Sequence, residues 1–410
     1  MTVGPTRFRS LVQGSVVIGL AMGVMNLSTY GFTVIAARLL GPSEYGALAA
    51  VMGLLLVVNV ASLGLQATGA RRVSAAPEDL DRIEADVLAA TYKSAAGVGV
   101  LCLAAVPLIT WVLRLDSWLI AAMIAVAAVP LTLMGGQAGI LQGERRWGPL
   151  AGIYLAMGLG RVVFGAGAMA LERDTLGAMT GVAVGAVLPV IVGSAALRRR
   201  RTRTVDTGSS RRVLRELAHN SHALLAFFAL SNADVVIARI VLDDHASGLY
   251  AGGLILAKAV LFLPQFVVVV AFPSMSAAGA RFAMTLKALA VVLVIGATAV
   301  LGAWLFSELA VAFIGGSAYA ELTGTIWAFA VIGTLLAMVQ LLVYNVVAQQ
   351  NKGSVLVLWT GLAVLFALAP TVTSVSYLLT AVVIVETALL VLLVALGARG
   401  RSAPTGVRAT

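Results

Sequence analysis

Charge is what this sequence has least of. Only 11% of its 410 residues are Asp, Glu, Lys or Arg, 60% are hydrophobic, and the mean hydropathy is +1.00, which excludes a water-soluble globule. The few charges are also segregated. None falls between Arg9 and Arg38, between Glu44 and Arg71, between Asp116 and Glu144, or between Asp174 and Arg198. Each gap exceeds the ~20 residues that cross a bilayer as helix. The first gap is too long for a signal-peptide core and lacks a small-residue cleavage site, so a retained span is expected there. The chain is read as a multi-pass membrane protein.

Other shortages exclude chemistry. A single cysteine, Cys102, cannot form an intramolecular disulfide and reads as a small apolar residue within a span. Histidine is nearly absent. His219 and His222 have Glu216 as their nearby carboxylate, too thin a donor set for a metal site. No GxxxxGK[ST] loop occurs, so neither a nucleotide cofactor nor ATP hydrolysis by this chain is expected. Outer loops long enough to carry catalytic groups are missing too, since the longest, about 307–321, holds only Glu308 before Glu321.

What is present is apolar helix. Twelve spans are expected, at roughly 10–37, 45–69, 90–113, 117–142, 148–171, 175–197, 219–242, 247–273, 283–306, 322–348, 353–370 and 374–397. With the N-terminus inside, 22 of the 28 Lys and Arg residues fall on inner segments and 4 (Arg38, Arg114, Arg173 and Arg239) on outer ones. This asymmetry places both termini in the cytoplasm of a plasma-type membrane. The +10 net charge therefore reflects basic loops beside spans, with membrane lipids as partners and no nucleic acid.

The run "RRRRTRTVDTGSSRRVLRE" (198–216) divides the chain into an N-terminal six-helix lobe (1–197), a basic cytoplasmic linker (198–216) and a C-terminal six-helix lobe with a short tail (217–410). The halves repeat one plan. "VIAARLLGPSEYGALAA" (34–50) returns as "VVIARIVLDDHASGLYAGG" (235–253), each a sharp turn between two spans, with Ser43 and Asp243 or Asp244 as suitable N-caps. "QGERRWG" (142–148) likewise matches "AQQNKG" (348–353). An even number of spans per half makes the repeats parallel about an axis along the membrane normal, as in transporters that alternate access around a midplane site. The fold class expected is all-α integral membrane: two six-helix bundles facing a central cavity. Pro107, Pro130, Pro189 and Pro264 within spans fit helices bent around such a cavity.

"GILQGERRWGPLAGIYLAMGLGR" (139–161), "DVVIARIVLDDHASGLYAGGLILAKAVLFLP" (234–264), "AFIGGSAYAEL" (312–322) and "ARLLGPSEYGALAA" (37–50) together resemble the polysaccharide-transport, or oligosaccharide flippase, family. This branch belongs to the superfamily that also holds multidrug and peptidoglycan-precursor flippases. The resemblance spans nearly the whole chain. It implies a transporter that moves polyprenyl-diphosphate-linked oligosaccharide from the inner to the outer leaflet, with glycosyltransferases or a polymerase of the same pathway as partners.

Four ionisable residues lie well inside spans: Arg161, Asp234, Lys258 and Glu386. Each costs about 2.5–3.5 kcal/mol at a helix centre, so each should face a cavity or a partner. Asp234 and Lys258 fall at similar expected depth on adjacent spans, and either pair with each other or face the cavity. Arg161 is the stronger diphosphate candidate, because a guanidinium fork matches phosphate oxygens; the alternative is a pair with Glu386. Arg38 and Arg239 either snorkel to the interface or line the outer mouth. Asn26, Asn232 and Gln265 are candidate cavity amides, while interhelical glue is the expected role of most of the set that they form with Asn59, Gln137, Gln340 and Asn345. Two other functions stand beside the flippase: an ion-coupled exporter of small drug-like molecules, and a membrane polymerase or ligase of polysaccharide assembly.

Overall fold

The computed structural model describes residues 5–197, 207–262, 281–349 and 352–399, and among them no strand occurs. The helices are α1 (Pro5–Val58), α2 (Val60–Ala75), α3 (Leu80–Val112), α4 (Trp118–Gly143), α5 (Trp147–Leu171), α6 (Thr175–Gly185), α7 (Val187–Leu197), α8 (Thr207–Val241), α9 (Asp244–Phe262), α10 (Arg281–Leu305), α11 (Ser307–Ile314), α12 (Ile326–Gln349), α13 (Lys352–Leu368) and α14 (Val375–Arg399). Ten described segments are long and apolar enough to cross a membrane. The first of these, Val16–Ala75, is a folded-back pair of spans, and the shorter apolar helix Val355–Thr371 brings the total to the expected twelve.

The fold-back follows from which helices run alongside which. Gly158 and Gly165 of α5 abut Met25 and Phe32 of α1, so the first span runs parallel to α5. Gly135, Gly139 and Gly143 of α4 abut Ser62, Gln66 and Val73, so α2 runs parallel to α4. Because α4 and α5 are antiparallel neighbours across the short turn at 144–146, the chain must reverse between the first and second spans. It does so at Gly41, whose φ of 72° and ψ of 176° break the helix. Pro42 then opens the second span, where a missing N–H costs nothing. Ser43 makes no capping hydrogen bond there, contrary to expectation. In the matching turn Asp243 caps α9, its Oδ1 accepting from the Ala246 amide at 2.8 Å.

The sixth span is two helices rather than one, separated at Ala186. Pro189 has no N–H to offer the carbonyl four residues back, so the α-helical ladder is interrupted at that point. The expected linker lies outside the described residues as far as 206; from Thr207 it is the start of α8. There Glu216 takes both arms of a guanidinium fork from Arg72, at 3.1 and 2.9 Å, and a third bond from Arg71 at 3.0 Å.

The chain divides into two compact units, Met1–His222 and Ala223–Thr410. In the first, α4 is central, packing on α2, α3, α6 and α7, while α5 packs on α1, α6 and α7. In the second, α12 takes the place of α4, packing on α9, α10 and α14, while α13 packs on α14. The fourth and tenth spans thus have corresponding roles. The expected glycine matches hold in register. Gly46 follows Pro42 by four residues as Gly248 follows Asp244, and Gly148 and Gly353 are each the second residue of their helix. Small residues make the close helix contacts inside each unit, where lipid and core are equally apolar and packing supplies the attraction. A Cβ on Gly181 would stand 2.3 Å from the Phe164 carbonyl oxygen, and one on Gly333 would stand 2.2 Å from that of Ala257. Leucines and tryptophans such as Leu101, Trp111 and Trp304 stay exposed, as lipid contact requires.

Candidate functional site

In the first unit Arg161 lies midway along α5 and is 7% exposed. Among the described residues of its own unit it forms no hydrogen bond and no ion pair. It occupies the α5 face that meets α1, between Gly158 and Gly165, at the level of Ser28 to Phe32. Asn26 stands just below that level on α1, half-buried. A guanidinium held in an apolar bundle without a protein anion is the arrangement that an anionic ligand would complete.

The second unit gathers the other intramembrane charges. Asn232 and Asp234 on α8 and Glu386 on α14 are all buried, at 4%, 3% and 3% exposure. Asp234 accepts from the Val235 amide at 2.8 Å and from the Tyr250 hydroxyl at 3.1 Å. Lys258 lies within electrostatic reach of Asp234 but makes no direct ion pair with it. Its ammonium donates instead to the Asn232 side-chain oxygen at 3.5 Å. The reason is helical register: α9 begins at Asp244, so Lys258 is 14 residues in, about 21 Å along the axis at 1.5 Å per residue. Asp234 precedes the end of α8 by only 7 residues, about 10.5 Å. Tyr250, six residues into α9, is the side chain that reaches it.

Glu386 is not isolated either. It lies within electrostatic reach of Asp234 and Tyr250, and its Oε2 has no hydrogen-bond partner among the described residues. The cluster is therefore two carboxyls and a phenol, with Lys258 and Asn232 toward its other end. No sequence pattern singles out Tyr250; its place a few residues after the repeated turn is the available signal.

The outer turn separates the two arginines that the repeat equates. Arg38 is exposed, whereas Arg239 is 3% exposed and bonded to Asp244 at 2.8 Å, so it does not snorkel. The acid beside the corresponding turn of the first unit, Glu44, is taken instead by Thr175, whose amide and hydroxyl donate to it at 2.8 and 2.6 Å. Gln137 is interhelical glue, donating to Ser194 at 3.0 Å. Gln265 and Pro264 lie outside the described residues. A second polar group went unnoticed in sequence: the Gln66 amide donates to Gln142 Oε1 at 2.9 Å and to the Tyr154 hydroxyl at 2.7 Å.

The fold is that of the transporters and flippases of the multidrug/oligosaccharidyl-lipid/polysaccharide superfamily. It is similar to lipid II flippase MurJ in an inward closed conformation, with 11% identity over 95% of this chain and 87% of that one and a TM-score of 0.74. Similar too are MATE in complex with MaD5, with 13% identity over 96% and 95% of the two chains and a TM-score of 0.66, and a eukaryotic MATE transporter, with 13% identity over 96% of each and a TM-score of 0.64. Among curated protein sequences none matches the chain. The profile of the family described as polysaccharide biosynthesis protein matches residues 11–279, well over half of the sequence, and the chain belongs to that family. Its many long apolar helices make it a multi-pass membrane protein with the fold of those transporters.

Proposed function

We propose that the protein carries a polyprenyl-diphosphate-linked oligosaccharide from the inner to the outer leaflet of the cell membrane for surface polysaccharide synthesis, both termini being cytoplasmic. The observation that carries this reading is Arg161: a guanidinium at mid-span, 7% exposed and without a protein partner among the described residues of its own unit, in a chain of a polysaccharide biosynthesis family. A diphosphate bridging lipid and sugar is an anion that belongs at membrane depth, and its oxygens match the guanidinium fork. Transport is by the chain itself, without chemical change to the substrate. The Asp234–Tyr250–Glu386 cluster supplies buried carboxyls able to take up and release a proton as the protein changes state. Glycosyltransferases or a polymerase acting on the same lipid are its partners.

A second reading, export of small cationic molecules, draws on that same acidic cluster and on the MATE structures among the neighbours. Proteoliposomes separate the two. The flippase reading requires labelled polyprenyl-diphosphate oligosaccharide to become accessible on the opposite leaflet. The exporter reading requires uptake of a cationic dye against a pH gradient and no lipid movement.

A further inference from the structure

Tyr154 and Arg161 are seven residues apart on α5, which puts them on one helix face about 10.5 Å apart along the axis. Around Tyr154 the first unit brings two amides from other helices, Gln66 on α2 and Gln142 at the end of α4. Gly139 allows this approach. A Cβ there would stand 2.6 Å from the Gln66 carbonyl oxygen, so only a glycine lets α2 lie this close to α4.

The hydrogen bonding inside the group is incomplete. Gln66 Nε2 gives its two hydrogens to Gln142 Oε1 and to the Tyr154 oxygen. That leaves Gln66 Oε1 as a free acceptor and the Gln142 amide and the Tyr154 O–H as free donors, none with a partner among the described residues. Gln142 is exposed and Gln66 half-buried, so these atoms are not sealed away. Groups acting purely as helix glue would have spent them on one another. The wall beside them is apolar, with Leu141, Leu150 and Ile153 fully buried around Tyr154.

We propose that Gln66, Gln142 and Tyr154 form the subsite for the first sugar of the substrate, binding its ring hydroxyls while the diphosphate sits at Arg161. The inference rests on the diphosphate-lipid reading above. An amide presents a donor and an acceptor side by side, which matches the vicinal hydroxyls of a pyranose, and the tyrosine ring offers an apolar face to the sugar's C–H edge. The spacing fits a diphosphate followed by one sugar ring. The group lies toward the end of the unit that carries Arg71, Arg72, Arg145 and Arg146. Under the proposed orientation that is the cytoplasmic end, the side toward which the sugar of an inner-leaflet lipid projects.

The test is binding by the purified full chain in detergent. The probes are farnesyl diphosphate and farnesyl diphosphate bearing a hexose or an N-acetylhexosamine. Tyr154→Phe and Gln142→Leu should each weaken binding of the glycosylated probes about tenfold, the effect of one lost hydrogen bond of about 1.4 kcal/mol, and leave the bare diphosphate unaffected. Arg161→Ala should weaken both classes of probe. Glycosylated probes bound as tightly by the variants as by the wild type would overturn the subsite, as would equal losses for bare and glycosylated probes. A wild-type chain that binds neither class refutes the diphosphate-lipid reading itself, and the subsite with it. Melting temperatures of Tyr154→Phe and Gln142→Leu within a degree or two of wild type would tie the losses to recognition.

Discussion

Tyr250 donates its hydroxyl hydrogen to Asp234 across 3.1 Å, tying α9 to α8 within the second unit. Tyr250→Phe keeps the edge-on contact with Phe329, whose ring centroid is 5.4 Å away, and removes that bond alone. The buried carboxyl then loses a donor, at a cost of about 1–3 kcal/mol. A melting temperature lowered by several degrees is expected in detergent, with a smaller effect when Asp234→Asn is already present. Equal shifts in the two backgrounds would mean that the hydroxyl acts on something other than Asp234.

Glu216 supplies a pH-dependent prediction outside the membrane. The Arg72 fork, with Coulombic help from Arg72 and Arg71, holds its carboxyl below the ordinary value of 4.5, while partial burial opposes them. A depressed carboxyl stabilises the folded state above its unfolded value and loses that contribution as pH falls through the folded one. The link between α8 and α2 should therefore be intact at neutral pH and lost in acid. Its worth is about 0.5–1 kcal/mol, given its partial exposure. Glu216→Gln should lower the melting temperature slightly at pH 7 and leave it unchanged near pH 3. A variant that melts like wild type at pH 7 would deny the clamp any part in stability.

Much of the architecture was legible in the sequence because a bilayer imposes long apolar runs, and basic residues mark the loops between them. The repeat was legible too, since Gly46 and Gly248, and Gly148 and Gly353, stand at matching helix positions. Side-chain pairing was less so. Asp234 and Lys258 were expected at one depth, but Lys258 is 14 residues into α9 while Asp234 is 7 from the end of α8, a difference of about two turns, and Tyr250 is the side chain that reaches Asp234. Arg239 was expected to snorkel to the interface or line the outer mouth, and a carboxylate three residues past the end of its helix holds it. The Gln66–Gln142–Tyr154 group draws on three helices separated by up to 88 positions, a convergence that no local pattern announces.

Orientation can be tested on the protein's own chemistry. Cys102 is the single cysteine, so a Cys102→Ala background accepts one reporter thiol at a time. A thiol placed at Ser209 should react with membrane-impermeant maleimide only after the cells are opened, and one at His245 should react on intact cells. The reverse pattern would invert the proposed topology and with it the direction of loading.

The central claim is that Arg161 holds the diphosphate of a lipid-linked sugar, and the rate at which reconstituted protein moves a labelled polyprenyl-diphosphate oligosaccharide between leaflets tests it most directly. The account predicts flipping by the wild type and loss of at least nine-tenths of the rate in Arg161→Ala, with insertion and melting near normal. Arg161→Lys should recover only part, because lysine keeps the charge but loses the fork. An Arg161→Ala variant that flips the lipid at the wild-type rate would contradict the claim.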